Sequence, residues 1–126
     1  MNDRTSGTDH SLLIVHSPLT DSYVLTLRGI ADSRASEDLK ADFARATDSR
    51  LPLVVNLAAL QFGDEALLGL LLNAHQAGGV TLVGPICDSF QRRLDTAGVT
   101  TWFTICPTLN DALDRSGNRP SSSATT

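Results

Sequence analysis

A strand, a tight turn and a helix follow one another directly between residues 53 and 74 of this chain. Residues 53–57 form an apolar, β-rich run of the kind that lies inside a sheet. In residues 66–74, apolar side chains recur at positions i, i+1, i+4, i+5 and i+8, which is the spacing of one helix face. Such a helix buries its apolar face against the sheet beside it, so the pattern predicts an α/β fold.

The turn between this strand and this helix carries two adjacent carboxylates. Asp64 is a good helix N-cap, because its carboxylate can accept hydrogen bonds from the unpaired amide groups of the first helical turn. Glu65 then falls in that first turn, where the helix dipole favours a negative charge. Both residues follow a central strand, and in open α/β sheets the carboxyl edge of the strands is where binding occurs.

The sequence of this turn resembles the STAS domain, the fold of bacterial anti-sigma-factor antagonists. That family carries a strand, a Leu-x-Phe-x-Asp-Ser-Ser/Thr-Gly-Leu turn, and a helix that continues Gly-x-Leu-Leu. Residues 60–72 read Leu-Gln-Phe-Gly-Asp-Glu-Ala-Leu-Leu-Gly-Leu-Leu-Leu. The positions that agree with the family are Leu60, Phe62, Asp64 and Leu68, together with the leucine-rich helix.

The residues that act as a switch in that family are different in this chain. The serine that is phosphorylated in the family, directly after the aspartate, is Glu65 here. The second hydroxyl residue is Ala66, and the glycine after it is Leu67. The scaffold of the turn therefore matches the family, whereas the phosphorylation site does not.

A second, shorter similarity begins at Gly29. In the family, a glycine, an acidic residue, an apolar residue and an aspartate close this strand. Gly29 and Asp32 agree with that pattern, whereas Ile30 replaces the acidic residue. Ser33 or Ser36 is then expected to cap the helix that follows.

The periodicity of the whole chain gives the element order β-β-α-β-α-β-α-β-α. This order predicts a small single-domain α/β fold, with a mixed sheet of four to five strands packed with about four helices. The resemblance to STAS extends over about residues 12–113 and implies the same fold. We expect a flexible N-terminus over residues 1–10, a STAS domain over residues 11–115, and a disordered C-terminal tail over residues 116–126.

The helix after the turn carries more leucine than one apolar stripe requires. Leu67, Leu70 and Leu71 are predicted to face the sheet, which leaves Leu68 and Leu72 on an adjoining face. These extra leucines fit either a wide arc that faces the core or an apolar docking patch for a partner beside the acidic turn. The sequence leaves both interpretations open.

The composition argues against several classes of partner. The net charge is -4 and no dense cluster of lysine and arginine occurs, which disfavours binding to nucleic acid or to an anionic membrane surface. No apolar run reaches the roughly 18 residues that a membrane helix needs. Residues 1–10 contain no apolar signal-peptide core, so we expect a cytoplasmic protein.

Catalytic and metal sites are not indicated by the spacing of reactive residues. Cys87 and Cys106 form no CxxC pair, and the three histidines show no ligand spacing. Asp64 and Glu65 are neighbours that point about 100° apart on a helix, so they do not face each other as a catalytic pair. We therefore expect no enzyme activity, no metal and no cofactor.

A receiver domain would also place an aspartate after a central strand. Its phosphoacceptor needs an acidic pair after the first strand to hold a magnesium ion, and a lysine after the last strand. His16, Ser17 and Pro18 stand at the first of these places, and the only lysine, Lys40, falls in the first predicted helix. These absences disfavour a receiver domain.

The resemblance implies a protein-interaction module that binds an anti-sigma factor of the Ser/Thr-kinase type, in a partner-switching pathway of transcription regulation. Phosphorylation of the turn serine normally adds negative charge and blocks docking. Glu65 instead places a permanent charge there and cannot be phosphorylated. The alternative is a STAS scaffold subunit of a larger complex, stressosome-like or lipid-transporting, and a homodimer stays open. The partner-binding residues implied are Asp32, Ser33, Phe62, Asp64, Glu65, Ala66 and Leu68.

Overall fold

The computed structural model describes residues 12–117 and has the predicted element order. The strands are β1 (Leu12–Pro18), β2 (Tyr23–Ala31), β3 (Leu53–Gly63), β4 (Val80–Val83) and β5 (Thr104–Cys106). The helices are α1 (Ser36–Asp48), α2 (Glu65–Gly78), α3 (Asp88–Ala97) and α4 (Leu109–Gly117), with short 3-10 turns at Ser33–Ala35 and Thr100–Trp102. The predicted flexible N-terminus and residues 118–126 of the predicted tail lie outside the described residues, whereas α4 includes the tail's first two residues.

The five strands form one mixed sheet in the order β1-β2-β3-β4-β5. β1 and β2 are an antiparallel hairpin, and every other neighbouring pair is parallel. Because successive parallel strands lie side by side, right-handed crossovers place α1, α2 and α3 on the same face of the sheet. Their buried side chains form one core cluster with that face. α4 packs on the opposite face, where Ala112 joins a smaller cluster that contains Val24, Val54, Val83 and Cys106.

Strand β3 is longer than the apolar run at residues 53–57 predicts. It continues to Gly63 because β2 continues beside it, with Gly29 paired to Leu60 and Ala31 paired to Gly63. The register shifts between Gly29 and the next pair, and Gly29 has a φ of 102°, a conformation that favours glycine. The two strands therefore end together, and Asp64 alone separates β3 from α2.

The leucines of α2 are part of the core on several sides of the helix. Leu67, Leu68 and Leu71 are buried, whereas Leu70 is half-buried and lines a hollow with residues of α1. Leu70 also packs against the core, from the side of α1, and is less deeply buried than Leu67 and Leu71, which the prediction placed on the same face. The reason is that α2 lies between α1 and α3, so its apolar arc is wider than one sheet-facing stripe. Leu72 is also half-buried and packs against the core.

This packing predicts that two neighbouring leucines of α2 differ in their contribution to stability. Leu71→Ala removes a fully buried side chain and should lower the free energy of unfolding by about 2–5 kcal/mol. Leu70→Ala removes a half-buried side chain and should cost clearly less. Denaturant titrations of both variants measure the difference, and equal losses would contradict this assignment of the helix faces.

Candidate functional site

The candidate site lies at the edge of the sheet where β2 and β3 end. Ala31 and Gly63 are paired at the last residues of the two strands. The backbone N–H of Asp64 donates to the carbonyl of Ala31 over 3.1 Å, which joins the two segments that leave the sheet. The residues predicted from both sequence similarities, around Asp32 and around Asp64, are therefore brought together at one edge.

Asp64 is the N-cap of α2, as the sequence predicts. Its Oδ1 atom accepts a hydrogen bond from the backbone N–H of Leu67 at 3.1 Å, and its backbone is extended. This bond satisfies one of the amide groups that the first turn of a helix leaves unpaired. Asp64 is half-buried, and its carboxylate fixes the start of α2 within the chain itself.

Glu65 and Ala66 are exposed in the first turn of α2. Within residues 12–117, the carboxylate of Glu65 makes no hydrogen bond and no ion pair. Phe62, two residues before the cap, is half-buried. The turn therefore presents a free carboxylate, a small apolar side chain and part of an aromatic ring to the solvent.

Asp32 is the cap of the neighbouring segment, a role that the sequence assigned to Ser33 or Ser36. Its Oδ1 atom accepts from the backbone N–H of Arg34 at 3.0 Å, which starts the 3-10 turn. The Arg34 guanidinium also donates to the Asp32 carboxylate, with 2.9 Å between Nη2 and Oδ2. α1 then begins directly from this turn with no side-chain cap, because the turn already supplies its first backbone bonds. Ser33 is exposed beside this pair.

The pKa of Asp32 is lowered from its ordinary value. The side-chain hydrogen bond from Arg34 is the largest cause, and the backbone N–H and the positive charge of the same residue act in the same direction. Partial desolvation opposes them and raises the pKa. Because each of these Arg34 interactions favours the ionised carboxylate, the cap and the ion pair persist at neutral pH and are lost only as the pH falls through the lowered pKa.

A groove of about 400 Å³ runs along the site between α2 and α3. Glu65 and Leu68 line it from α2, and Arg92 and Arg93 line it from α3. Leu68 is only 7% exposed, so the predicted partner residue belongs to the core and contributes only a small part of the groove surface. The groove therefore brings one carboxylate and two guanidinium groups together beside a few apolar side chains.

Two residues that position the site were missed from the sequence. A Cβ atom on Gly63 would lie 2.6 Å from the ring of Phe90 and 2.9 Å from Leu67, so only glycine fits at this close approach. The Nε–H of Arg93 donates to the Gly63 carbonyl at 3.2 Å. A glycine between a strand and a helix is a recognisable signal of close backbone approach. Arg93 has no such signal, because its partner is 30 residues away in the chain.

Residues 12–117 contain no group of three histidine, cysteine, aspartate or glutamate residues that could hold a metal ion. None of the helices described is long and apolar enough to cross a bilayer. Cys87 and Cys106 are both free thiols.

Comparison with known proteins finds likeness in structure. No protein-family model matches this sequence. No curated protein matches it either. The crystal structure of an anti-sigma factor antagonist from Mycobacterium paratuberculosis superposes with a TM-score of 0.73 at 21% identity, over 84% of this chain and 94% of that one.

Two structures of the protein SpoIIAA are also similar. The anti-sigma factor antagonist SpoIIAA in its unphosphorylated form matches with a TM-score of 0.70 and 22% identity, over 82% of this chain and 95% of that one. The Bacillus cell fate determinant SpoIIAA in the phosphorylated form matches with a TM-score of 0.64 and 22% identity, over 82% and 98%. The chain therefore has the STAS fold of anti-sigma factor antagonists, as its sequence predicts.

The contact between Gly63 and Phe90 predicts opposite effects for two glycine-to-alanine substitutions. Gly63→Ala should destabilise the fold by about 1–3 kcal/mol, because the new methyl group overlaps the buried ring. Gly69→Ala is the matched control, since nothing lies within 4 Å of a Cβ at that position in α2. Alanine there should be neutral or stabilise the helix by up to about 1 kcal/mol. Unfolding curves of both variants test this, and a neutral Gly63→Ala would contradict it.

The pair formed by Asp32 and Arg34 predicts a change in titration. Arg34→Ala removes the guanidinium donors and their positive charge but keeps the backbone N–H at this position, so the pKa of Asp32 should rise part of the way toward its ordinary value. NMR titration of the Asp32 side-chain carboxyl carbon measures this pKa in both proteins. Arg45→Ala, which removes an exposed arginine in the last turn of α1, should leave it unchanged. An unchanged pKa in Arg34→Ala would show that the pair does not form in solution.

Proposed function

We propose that this chain is an anti-sigma-factor antagonist that docks on an anti-sigma factor of the Ser/Thr-kinase type without being switched by phosphorylation. The action proposed is competitive binding: the anti-sigma factor, once occupied, releases its sigma factor. The chain itself is proposed to catalyse no reaction and to use no cofactor. The docking surface is the edge formed by Asp32, Ser33, Phe62, Asp64 and Glu65, continued by Ala66 and the exposed part of Leu68.

The observation that carries the proposal is the free carboxylate of Glu65 at the start of α2. It is exposed at the edge where β2 and β3 end, in a fold that this chain shares with anti-sigma factor antagonists. One of those relatives, SpoIIAA, has been described in a phosphorylated and an unphosphorylated form. Glu65 has no hydroxyl group, so a phosphoryl group cannot be placed at this position in the present chain.

The charge around Glu65 favours a chain that always binds its partner over a chain that is always kept from binding it. A glutamate carries about one negative charge, whereas a phosphoserine carries about 1.5 to 2 and offers three acceptor oxygens instead of two. Arg92 and Arg93 line the same groove as Glu65, so their positive charges offset its field. The turn therefore carries less negative charge than a phosphorylated turn would, and repulsion from an acidic partner surface is correspondingly weaker.

The remaining docking features are intact, which also supports a binding role. Asp64 caps α2 and orders the turn, and Asp32 does the same for the neighbouring segment. A chain that never binds its partner would have little use for two ordered segments that lie side by side where β2 and β3 end. We therefore infer that the partner has adapted to Glu65 and places a basic or hydrogen-bond-donating group against it.

The test uses purified anti-sigma factors encoded in the same genome as this chain, with binding measured by calorimetry for wild type and Glu65→Ser. The serine variant should bind at least about threefold more weakly, because it loses the charged contact, and the difference should shrink as salt is raised. Asp48→Ser is the matched control, since it removes an exposed acid from the last residue of α1, at the opposite edge of the sheet.

Three results would count against the proposal. If Glu65→Ser binds about tenfold tighter, Glu65 acts as a mimic of the phosphorylated state and keeps the chain silent. If incubation with the kinase and ATP places a phosphate within residues 60–72 of the wild type, regulation by phosphorylation at this turn persists. If none of the anti-sigma factors binds, a scaffold subunit of a larger assembly becomes the better explanation.

A further inference from the structure

The large exposed apolar side chains of the described residues lie near the two outer strands of the sheet, and most of them lie near β1. Five large apolar side chains are exposed among residues 12–117, and three of them lie on β1 or directly after it. Leu13 is 56% exposed, Val15 41% and Leu19 44%. β1 is an outer strand of the sheet, so the backbone groups on its free side have no strand partner in the described part of the chain. The other two, Trp102 and Ile105, lie at the opposite edge, near or on β5.

One face of β1 packs against the rest of the protein, whereas the other face is exposed. Leu12 and Ile14 point toward the helices and pack against the main core. The ring of His16 bridges two elements, with 2.8 Å from Nε2 to the Asp42 carboxylate on α1 and 2.6 Å from Nδ1 to the Tyr23 hydroxyl. Leu13 and Val15 alternate with these residues and therefore lie on the opposite face. α4, which covers that face elsewhere, contacts β3, β4 and β5.

β1 lacks the features that normally protect an edge strand. Natural sheets block their edges with charged side chains, bulges, or prolines within the strand. Residues 12–18 contain no lysine, arginine, aspartate or glutamate, and the only proline is the last residue of the strand. The register with β2 is continuous over all seven residues, so no bulge turns the edge away. Such an edge is a template for pairing with another strand.

We propose that β1 pairs with β1 of a second copy of this chain, antiparallel and about a two-fold axis, so that two five-stranded sheets become one continuous sheet. Residues directly opposite each other in an antiparallel pair point to the same face. The exposed residues Leu13 and Val15 must therefore face exposed residues of the other copy. A register centred on Ile14 does this twice, with Leu13 opposite Val15 of the second copy and Val15 opposite its Leu13.

This register creates no clash of charge. Leu13 is paired with Arg28 within one copy, and Val15 is paired with Thr26. Side chains that lie next to one another across the four central strands form a row. Each row contains Arg28 and Leu13 of one copy, followed by Val15 and Thr26 of the other copy. The two arginines lie in different rows and do not face each other. Two apolar pairs thus lie at the centre, with polar side chains on both sides, as in the core and rim of an interface.

The size of the contact sets the expected strength of the dimer. In this register residues 12–16 of the two copies pair, and five residues of antiparallel strand run about 17 Å. Pairing therefore buries an area at or below the low end of specific interfaces, where association is weak and reversible. The two-fold axis also turns the two docking edges to opposite ends of the joined sheet, which leaves both open. The dimer does not depend on the function proposed above.

Sedimentation equilibrium of the full chain tests the proposal over a wide range of protein concentration. The mass should rise from 13.4 kDa toward twice that value. Val15→Lys should raise the dissociation constant at least about tenfold, because it places an ammonium group opposite Leu13 of the other copy. Ile105→Lys, at the exposed apolar position of the other edge strand, should leave the dimer unchanged. Circular dichroism and denaturant midpoints verify that both variants are folded.

A double variant tests the register itself. Leu13→Glu with Val15→Lys places opposite charges in both central rows, so dimerisation should recover most of what Val15→Lys alone loses. A wild-type chain that stays monomeric at every concentration overturns the proposal. So does an oligomer that Ile105→Lys disrupts, because contact then runs through the β5 edge. A double variant that remains as weak as Val15→Lys excludes pairing centred on Ile14.

Discussion

The close contact between the Phe90 ring and the backbone of Gly63 fixes the arrangement on which the candidate site depends. No side-chain carbon fits between them, and the Gly63 carbonyl is also bound by Arg93 from the same helix. The end of β3 is therefore held against α3, and α2 must start at the next residue but one. This constraint places Glu65 at the rim of the groove between α2 and α3, where an exposed carboxylate meets the two arginines.

The three carboxylates of the proposed docking edge have different roles because their surroundings differ. Asp64 and Asp32 direct their oxygens to backbone N–H groups, so their charge is used to start a helix and a 3-10 turn. Glu65 lies one residue further into its helix, where no backbone amide needs its side chain, and it remains free for a partner. The residue that departs from the family pattern is thus the only one of the three whose carboxylate faces solvent without a bond in the described chain.

The proposed docking edge and the exposed strand β1 occupy separate parts of the molecule. The first is polar, ordered by hydrogen bonds, and located where β2 and β3 end. The second is apolar and uncharged, and it lies along the outer strand of the hairpin. The proposed adapted partner and the proposed second copy would therefore contact different surfaces of the chain. His16 lies on the opposite face of β1, where its hydrogen bonds to Asp42 and Tyr23 fix the strand against the core.

The sequence alone determined the order of the elements, the cap at Asp64 and the loss of the hydroxyl at Glu65. Hydrophobic periodicity and capping act over a few neighbouring residues, so they can be read from a short stretch of chain. Contacts between distant segments decided the rest. β3 runs past residue 57 because β2 extends beside it, and Leu70 is only half-buried because it lies on the side of α2 that meets α1. Arg93 reaches the site across 30 residues, a distance at which no local pattern carries information.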